Sequence, residues 1–504
     1  MSASVNEVQV SLRSLFNGIA GVTEVPDVIV NDMTADSRRV RSGSLFLACH
    51  GGVYHGLEFA DAAIAANVAA IAWEPQHGLQ LPELPDTVTA FPVDDLSAQV
   101  GDIADRFFAE PSAKIMLTGI TGTNGKTTTA WLATEALNHL AGKSAYMGTL
   151  GYGVIPELKS SELTTPGCIS VHRRLRQLLD TGVSKVVMEV SSHGLDQGRI
   201  DGVRINTAAF TNLSRDHLDY HGDLTSYKAA KAKLFAGAAL RTAVINTGDA
   251  FGAELADDLA EGIQVIKVAL VDQLQNNHQA DLCATYSQVV GGGLQISFTG
   301  RFGAAEMTSA LWGRFNAENL LVAVGILLAH GYSLEQAVVA LEASSVPPGR
   351  MQVITGSADN PIVIVDFAHT PDALAQALQT LRGHCTGKVV CVFGCGGDRD
   401  HGKRAEMGAI AEQLADYVVV TTDNPRDENC RSIIDAIVTG MVDVGSYEVI
   451  EDRAEAIARA IHYAEAGDAV LVAGKGSENY QLIADRVEAF SDEDVALGVL
   501  GVAS

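Results

Sequence analysis

The sequence GITGTNGKTTTAWL, residues 119–132, decides how the central part of this chain folds. The apolar run KIMLTGI that leads into it predicts a β-strand, and TTTAWLATEALNHL after the glycines has helical periodicity. A glycine-rich turn between a strand and a helix presents backbone N–H groups to a phosphate. Lys126 adds a mobile cation and Thr127 a hydroxyl for Mg²⁺, so we predict a nucleotide-phosphate site.

The spacing of this loop leaves an alternative open. Gly119 precedes Gly125 by one residue more than the strict P-loop pattern allows, which would suit a glycine-rich turn with nothing bound. The order of strand, glycines, lysine, hydroxyls and helix favours the phosphate site. A phosphate site alone does not distinguish a switch protein, a motor and a ligase.

Composition bounds the class of protein. The chain has 504 residues, of which 47% are hydrophobic and 19% charged, and at roughly 150 residues per domain this predicts three domains. The formal net charge of −26 argues against nucleic acid as a partner. We also expect no membrane association and a cytoplasmic protein, because the first residues lack a signal-peptide pattern and no apolar run reaches about 18 residues.

The pattern of strands and helices predicts an α/β fold with three domains. Residues 1–110 form a small N-terminal α/β domain, residues 111–345 a central P-loop-type domain with a mainly parallel sheet, and residues 346–504 a C-terminal Rossmann-like α/β domain. In the central domain, ATYSQVVGGGLQISFTG breaks the alternation and predicts an appended hairpin. The double proline of SSVPPGR favours a domain joint.

Polar residues follow two further predicted strands of the central domain. Glu189 ends the strand in MEVSSHGL, and Asn212, Asp216, His217 and His221 follow the strand in FTNLSRDHLDYHG. Ligands collect at the carboxyl ends of strands in open α/β sheets. Taken singly, His217 is an ordinary loop histidine, but with Glu189 and Lys126 it predicts a site that holds Mg²⁺ against a phosphate.

Seven motifs in order along nearly the whole chain resemble the Mur ligases of peptidoglycan synthesis. They are GITGTNGKTTT, EVSSHGL, TNLSRDHLDYHG, YKAAKAKLF, GRFNAENLLVAVG, DFAHTPDAL and DNPR. The extra residue in the first loop is the form that this family has, although TGTNGKT alone would also fit folylpolyglutamate synthetase. The resemblance implies an ATP-dependent amide ligase that forms an acyl phosphate and releases ADP and phosphate.

The resemblance assigns catalytic and nucleotide-binding residues. Lys126, Glu189, His217 and Lys231 would be catalytic, and Thr127, Glu189, His217 and a carbamylated Lys231 would hold Mg²⁺. ATP would be bound by Gly122, Thr123, Asn124, Gly125, Lys126, Thr127, Thr128, Asn316, Asn319, Arg350 and Asp366. From the pattern alone, Asn316 is a helix N-cap, and Lys231 is an ordinary lysine on a helix that also carries Lys228 and Lys233.

The resemblance is strongest to the branch of the family that adds meso-2,6-diaminopimelate to UDP-N-acetylmuramoyl-L-alanyl-D-glutamate. It assigns the UDP-sugar peptide to Ser37, Thr164, Thr165, Ser191, Gln197 and Arg199. It assigns the amino acid to Arg399, Asp423, Asn424, Arg426, Gly474 and Glu478. An arginine fork suits the distal carboxylate of diaminopimelate, which lysine lacks.

Two departures and three alternatives accompany this interpretation. HGGVYHGLEFA replaces the usual His-Gln-Ala-Asp-Gly run, and Ser477 stands where relatives often have histidine. DNPR argues against a lysine-adding ligase and against folylpolyglutamate synthetase. A nucleotide-dependent switch protein would need the phosphate loop but not a third domain with arginine-rich loops. We expect a monomer.

Overall fold

A computed structural model describes residues 9–22, 24–273, 280–289 and 292–502. Within these ranges the chain forms three α/β units in sequence order, each around its own sheet. The predicted three-domain α/β architecture is therefore confirmed. None of the described helices combines the length and apolar character needed to cross a bilayer.

The first unit is built on a four-stranded parallel sheet whose strands lie side by side in chain order. A short antiparallel pair of strands precedes it. The elements are β1 (Val10–Ser11), α1 (Leu12–Leu15), β2 (Ile29–Val30), β3 (Asp32–Thr34), β4 (Ser44–Ala48), α2 (Ala60–Ala65), β5 (Ala70–Trp73), β6 (Thr89–Pro92) and α3 (Leu96–Phe107).

The central unit contains β7 (Met116–Thr121), α4 (Lys126–Ala141), β8 (Ser144–Gly148), β9 (Gly151–Val154), β10 (Glu157–Lys159), α5 (Cys168–Asp180), β11 (Lys185–Glu189), α6 (Ser192–Asp196), β12 (Thr207–Phe210), α7 (Leu218–His221), α8 (Leu224–Ala232), β13 (Thr242–Asn246), α9 (Ala250–Asp257), β14 (Gln264–Leu270), β15 (Leu282–Gln288), β16 (Leu294–Gly300), β17 (Gly303–Ser309), α10 (Arg314–Ala329) and α11 (Leu334–Glu342).

The sheet of this unit has the order β10-β9-β8-β11-β7-β12-β13-β14-β15-β16-β17 among the described residues. Strands β8 to β15 in that order pair in parallel, and both edges are antiparallel. The predicted hairpin is β15-β16, and residues 290–291 of its turn lie outside the described ranges. Helix α10 is apolar on nearly all sides and packs into the core of one sheet face.

The third unit contains β18 (Gln352–Ile354), β19 (Ile362–Asp366), α12 (Pro371–His384), β20 (Val389–Phe393), α13 (Gly402–Leu414), β21 (Tyr417–Val420), α14 (Cys430–Val438), β22 (Tyr447–Val449), α15 (Arg453–Tyr463), β23 (Ala469–Ala473), β24 (Tyr480–Ile483), β25 (Arg486–Ala489) and α16 (Asp492–Leu500). Its sheet order is β18-β19-β23-β20-β21-β22, parallel except for β18. The loops after β20, β21 and β23 therefore meet at one sheet edge.

Candidate active site

The glycine-rich loop joins β7 to α4 with a geometry that only glycine allows at two positions. Gly122 and Gly125 have φ values of 154° and 83°. A Cβ atom would lie 1.9 Å from Thr211 Oγ1 at Gly122 and 2.1 Å from Asn319 Oδ1 at Gly125. A hydrogen bond to the segment after β12 fixes the loop, since Asn124 N–H donates to Asn212 Oδ1 at 2.9 Å. Helix α4 starts at Lys126, so its first N–H groups face the loop.

Two lysine side chains converge on one carbonyl of this loop. Lys126 Nζ donates to the carbonyl oxygens of Gly122 at 2.9 Å and Thr123 at 2.8 Å. Lys231 Nζ, on helix α8, donates to the same Gly122 oxygen at 2.8 Å. Lys231 is 1% exposed. Burial, reinforced by the charge of Lys126, lowers the pKa of Lys231 well below its usual value.

Glu189 ends β11 and is completely buried among hydrogen-bond donors. Its carboxylate accepts from Thr127 Oγ1 at 2.9 Å, from the N–H of Thr149 at 2.9 Å and from the hydroxyl of Tyr146. Tyr146 and Thr149 were missed from the sequence. Tyr146 is on β8, whose parallel pairing with β11 places it opposite Val187, a register that periodicity does not predict.

His217 lies in a cluster of imidazole and phenol rings. Its Nε2 is 3.3 Å from Asp216 Oδ2, and the His193 ring meets it edge-on with centroids 4.8 Å apart. Burial lowers the pKa of His217 to about 4, although Asp216 opposes the shift. His193, in the quoted motif EVSSHGL, was not singled out from the sequence. His221 Nε2 pairs with Ser192 Oγ at 3.0 Å.

A cavity of about 400 Å³ opens between the central and third units beside the glycine-rich loop. Six of the predicted nucleotide-binding residues line it, namely Asn124, Gly125, Thr128, Asn319, Arg350 and Asp366. Side chains that the sequence did not single out complete the wall, among them Arg314, Phe315, Glu318, Asp372 and Gln376. Asn124 Nδ2 donates to Asp372 Oδ2 at 3.3 Å, which links the two units across the cavity.

Arg350 and Asp366 lie on the third unit's side of this cavity. Arg350 Nη2 donates to Thr127 Oγ1 at 3.2 Å, and its guanidinium stacks 4.2 Å from the centre of the Phe367 ring. Its buried Nε has no partner among the described residues. The Asp366 carboxylate accepts from the N–H groups of Met351 at 2.7 Å and of Ala368 two residues later.

Asn316 is not the helix N-cap that its residue type suggested. Helix α10 begins at Arg314, and its N-cap is Gly313. Asn316 is 1% exposed, and its Nδ2 donates back to the carbonyl of Trp312 at 2.8 Å. Its Oδ1 accepts from Asn319 Nδ2 at 3.0 Å, so Asn316 orients Asn319 toward the cavity wall.

Five of the residues predicted for the UDP-sugar peptide lie together beside Glu189. Thr165 Oγ1 donates to the Glu189 carbonyl at 3.1 Å and accepts from Ser191 N–H at 2.9 Å. Arg199 Nη1 donates to the Thr165 carbonyl at 2.8 Å, and Arg199 Nε donates to Gln197 Oε1 at 3.0 Å. The hydroxyl of Thr164 pairs with that of Thr149 at 3.0 Å.

Ser37 lies in the first unit, in a turn whose last residue contacts the central unit. It begins the short 3-10 turn Ser37–Arg39, and Arg39 Nη2 lies 3.7 Å from Glu162 Oε2 of the central unit. In the divergent run, Val53 and Tyr54 are 83% and 62% exposed. That run therefore presents apolar side chains at its surface.

The predicted amino-acid residues lie in the three loops at the sheet edge of the third unit. Arg426 adopts φ 51°, and its Nη1 donates to the Gly397 carbonyl at 2.8 Å. Among the described residues, its Nε and Nη2 donate to no protein acceptor. Asn424 Nδ2 donates to Glu478 Oε2 at 2.8 Å.

Lys475 is a buried cation in this group that the sequence did not single out. It is completely buried, and its Nζ lies 3.0 Å from Glu478 Oε2 and 3.2 Å from Asn424 Oδ1. Gly474, at φ 118°, packs against Asp423, since a Cβ there would lie 2.5 Å from Asp423 Oδ2. The GKG run that contains Lys475 was the available signal.

Arg399 is exposed in the loop after β20. Burial chiefly, together with the positive charges of His221, Arg199 and Arg399, lowers the pKa of His193. Arg399, in the loop after β20, is therefore within electrostatic range of His193 in the central unit.

A glycine-rich loop at a helix N-terminus, two lysines that converge on it and a cavity shared with a further α/β unit suit a nucleotide-dependent ligase. The sequence matches three family models: "Mur ligase family, catalytic domain" over residues 30–108, "Mur ligase middle domain" over 120–327 and "Mur ligase, glutamate ligase domain" over 349–476. The chain belongs to the Mur ligase family and is an ATP-dependent amide ligase.

Three similar proteins share a name. A UDP-N-acetylmuramoyl-L-alanyl-D-glutamate–2,6-diaminopimelate ligase of Xylella fastidiosa strain Temecula1 is 43% identical over 485 residues, covering 96% of each chain. The Pseudomonas putida KT2440 protein of that name is 45% identical over 468 residues, covering 92% of this chain and 94% of its own. A solved structure of such a ligase superposes with a TM-score of 0.69 at 34% identity, covering 98% of this chain and 99% of the other.

Proposed function

We propose that this chain joins meso-2,6-diaminopimelate to UDP-N-acetylmuramoyl-L-alanyl-D-glutamate with hydrolysis of ATP, in peptidoglycan precursor synthesis. One observation carries the choice of amino acid. Arg426 Nη1 donates to a backbone carbonyl, whereas Nε and Nη2 have no protein acceptor among the described residues. The guanidinium belongs to the same loops as the hydrogen-bonded group of Asn424, Glu478 and Lys475. The Nε–Nη2 edge of the guanidinium matches the distal carboxylate of diaminopimelate, and the Glu478 carboxylate suits its ammonium group.

The phosphoryl-transfer half of the reaction needs positive charge, because ATP and the substrate carboxylate repel each other. Lys126 and the N-terminus of α4 supply it at the loop, and Arg350 supplies it from the third unit. The carboxylate attacks the γ-phosphorus, ADP leaves, and an acyl phosphate forms. The amine of the amino acid then attacks the acyl carbon, and phosphate leaves with the amide bond formed.

Mg²⁺ fits the residues present, provided that ATP supplies part of its coordination. The described residues hold no cluster of three His, Cys, Asp or Glu side chains that would bind a metal alone. Mg²⁺ usually takes one or two carboxylates together with substrate phosphates. Thr127 and Glu189, whose side-chain oxygens are 2.9 Å apart, would hold it together with His217 and a carbamylated Lys231. Bound there, Mg²⁺ would neutralise charge on the phosphates.

Lys231 would help to hold Mg²⁺ as a carbamate. Its neutral amine would attack CO₂ and lose a proton, which would place an anion beside Lys126. The buried position of Lys231 and its lowered pKa support this assignment, because the reaction needs the unprotonated amine.

The remaining assignments complete the proposal. The group formed by Thr164, Thr165, Ser191, Gln197 and Arg199, with Ser37, would bind the UDP-sugar peptide. The cavity between the central and third units would bind ATP, and residues 110 and 345 would be the domain limits. We also propose that the protein is a cytoplasmic monomer.

Phosphate release tests this function directly. The purified protein is assayed with ATP and Mg²⁺, leaving out the UDP-sugar dipeptide and diaminopimelate in turn, and the product is identified by mass. We expect turnover only with both, and an adduct one diaminopimelate residue heavier. ATP turnover without diaminopimelate would identify a switch-type ATPase instead, and equal use of L-lysine would refute the choice of amino acid.

A further inference from the structure

A completely buried ion pair lies beneath the amino-acid loops of the third unit. Arg453 is the first residue of α15, and Asp492 is the first residue of the C-terminal helix α16. Neither side chain is exposed. Arg453 Nε donates to Asp492 Oδ1 at 2.7 Å and Nη2 donates to Oδ2 at 2.8 Å, which is the bidentate geometry.

The same guanidinium also holds the end of β23 and the loop that follows β21. Nη2 donates to the carbonyl of Ala473 at 2.9 Å, and Nη1 donates to the carbonyl of Thr422 at 3.3 Å. Thr422 directly precedes Asp423 and Asn424, and Ala473 directly precedes Gly474. Arg453 therefore fixes the two points from which both loops of the candidate amino-acid pocket depart.

The spacing between these loops depends on this hold. A Cβ on Gly474 would lie 2.5 Å from Asp423 Oδ2 and 3.9 Å from Arg453 Nη2. The two loops therefore pack directly against each other and against the guanidinium. Lys475 then bridges to Asn424 and Glu478. A small shift between the strand ends would change every one of these distances, because the interior is close-packed.

We propose that the Arg453–Asp492 pair is a positioning device for the amino-acid pocket, through which helix α16 sets the separation of the two loops. This rests on the function proposed above. Net stability is a weak explanation for the pair, since replacing a buried ion pair by apolar side chains is often neutral or stabilising. Apolar contacts of Ala496 and Leu500 already anchor α16 to the core.

The test replaces both charges at once, as Arg453→Met with Asp492→Leu, so that no single charge is left buried. The KM of each of the three substrates, kcat and the melting temperature are measured for wild type and variant. Arg459→Met is the matched control, because Arg459 is on the same helix but pairs with Glu448 at 3.0 Å on the surface.

We expect the double variant to melt near wild type, with a KM for diaminopimelate raised about tenfold or more. The KM values for ATP and the UDP-sugar dipeptide should stay within about twofold, and the control should match wild type. A folded double variant with an unchanged KM for diaminopimelate, or with all three KM values raised alike, would overturn the inference.

Two further arms keep the result decisive. If the double variant does not fold, Arg453→Lys decides by the same ratio, since it keeps a positive charge opposite Asp492 but cannot form the bidentate pair and hold both carbonyls as the guanidinium does. A wild-type enzyme that does not use diaminopimelate would refute the proposed function. The positioning role is then tested by the same KM comparison with the amino acid that wild type does use.

Discussion

Arg426→Ala should remove the preference for meso-diaminopimelate over L-lysine. Among the described residues, the wild-type side chain donates through Nη1 to the Gly397 carbonyl at 2.8 Å and the Asn424 carbonyl at 3.4 Å, which leaves Nε and Nη2 for a ligand carboxylate. Losing hydrogen bonds to a charged group costs about 1.5–3 kcal/mol. At about 1.4 kcal/mol per tenfold, kcat/KM for diaminopimelate should fall roughly 10- to 100-fold.

The comparison of two amino acids separates this effect from loop damage. Loss of the bonds to Gly397 and Asn424 would affect both amino acids alike, whereas only diaminopimelate has a distal carboxylate to lose. Arg426 has φ 51°, but alanine and arginine both carry a Cβ, so the backbone cost is the same.

The assay measures kcat/KM for both amino acids by phosphate release in wild type, Arg426→Ala and Arg426→Lys. Arg431→Ala is the control for net charge, since Arg431 is 58% exposed and pairs with Asp435 on α14. The reasoning is wrong if Arg426→Ala keeps the wild-type ratio of the two kcat/KM values. In that case Arg426 only bridges two surface loops.

Three further predictions concern the phosphate loop and the third unit. Lys126→Ala should abolish ATP turnover while leaving the fold intact by circular dichroism, and near-normal turnover would contradict a phosphate site. Lys231→Ala should lose activity and regain part of it when a short carboxylate such as acetate replaces the missing anion; a fully active variant would eliminate the carbamate. Arg404, which donates to Glu428 at 2.8 and 3.0 Å, holds the pKa of that carboxyl at about 2. A carboxyl whose pKa is lowered by folding stabilises the folded state at pH values above its pKa in the unfolded chain, and this stabilisation is lost as the pH falls through its pKa in the folded protein. The melting temperature of Glu428→Gln should therefore lie below that of wild type by the full amount at pH 6, and the difference should shrink toward pH 2. A difference that does not change with pH would show that the charge is not involved.

The sequence by itself determined the local architecture of the site. The order of strand, glycines, lysine and helix in residues 116–141 is encoded by short-range patterns, and the structure has β7, the loop and α4 in that order. Gly122 and Gly125 are needed because side chains of Thr211 and Asn319 occupy the space of a Cβ. The alternating apolar runs likewise predicted the three α/β units, since each strand and helix carries its own periodicity.

Residue type misled at one helix start. Asparagine favours the N-cap because its side chain accepts a backbone N–H. At Asn316 tertiary contacts decided otherwise, since the helix begins earlier, after Gly313, and the buried amide instead joins Trp312 to Asn319.

Only the tertiary structure decided which polar groups are paired with each other. Lys126 and Lys231 are far apart in sequence, yet both donate to the Gly122 carbonyl. Tyr146 reaches Glu189 because β8 and β11 are neighbours in one register, and Arg453 reaches Asp492 because α16 returns to the sheet. The physical reason is that such pairs depend on how strands and helices are arranged in space, which the spacing of residues within one element does not contain.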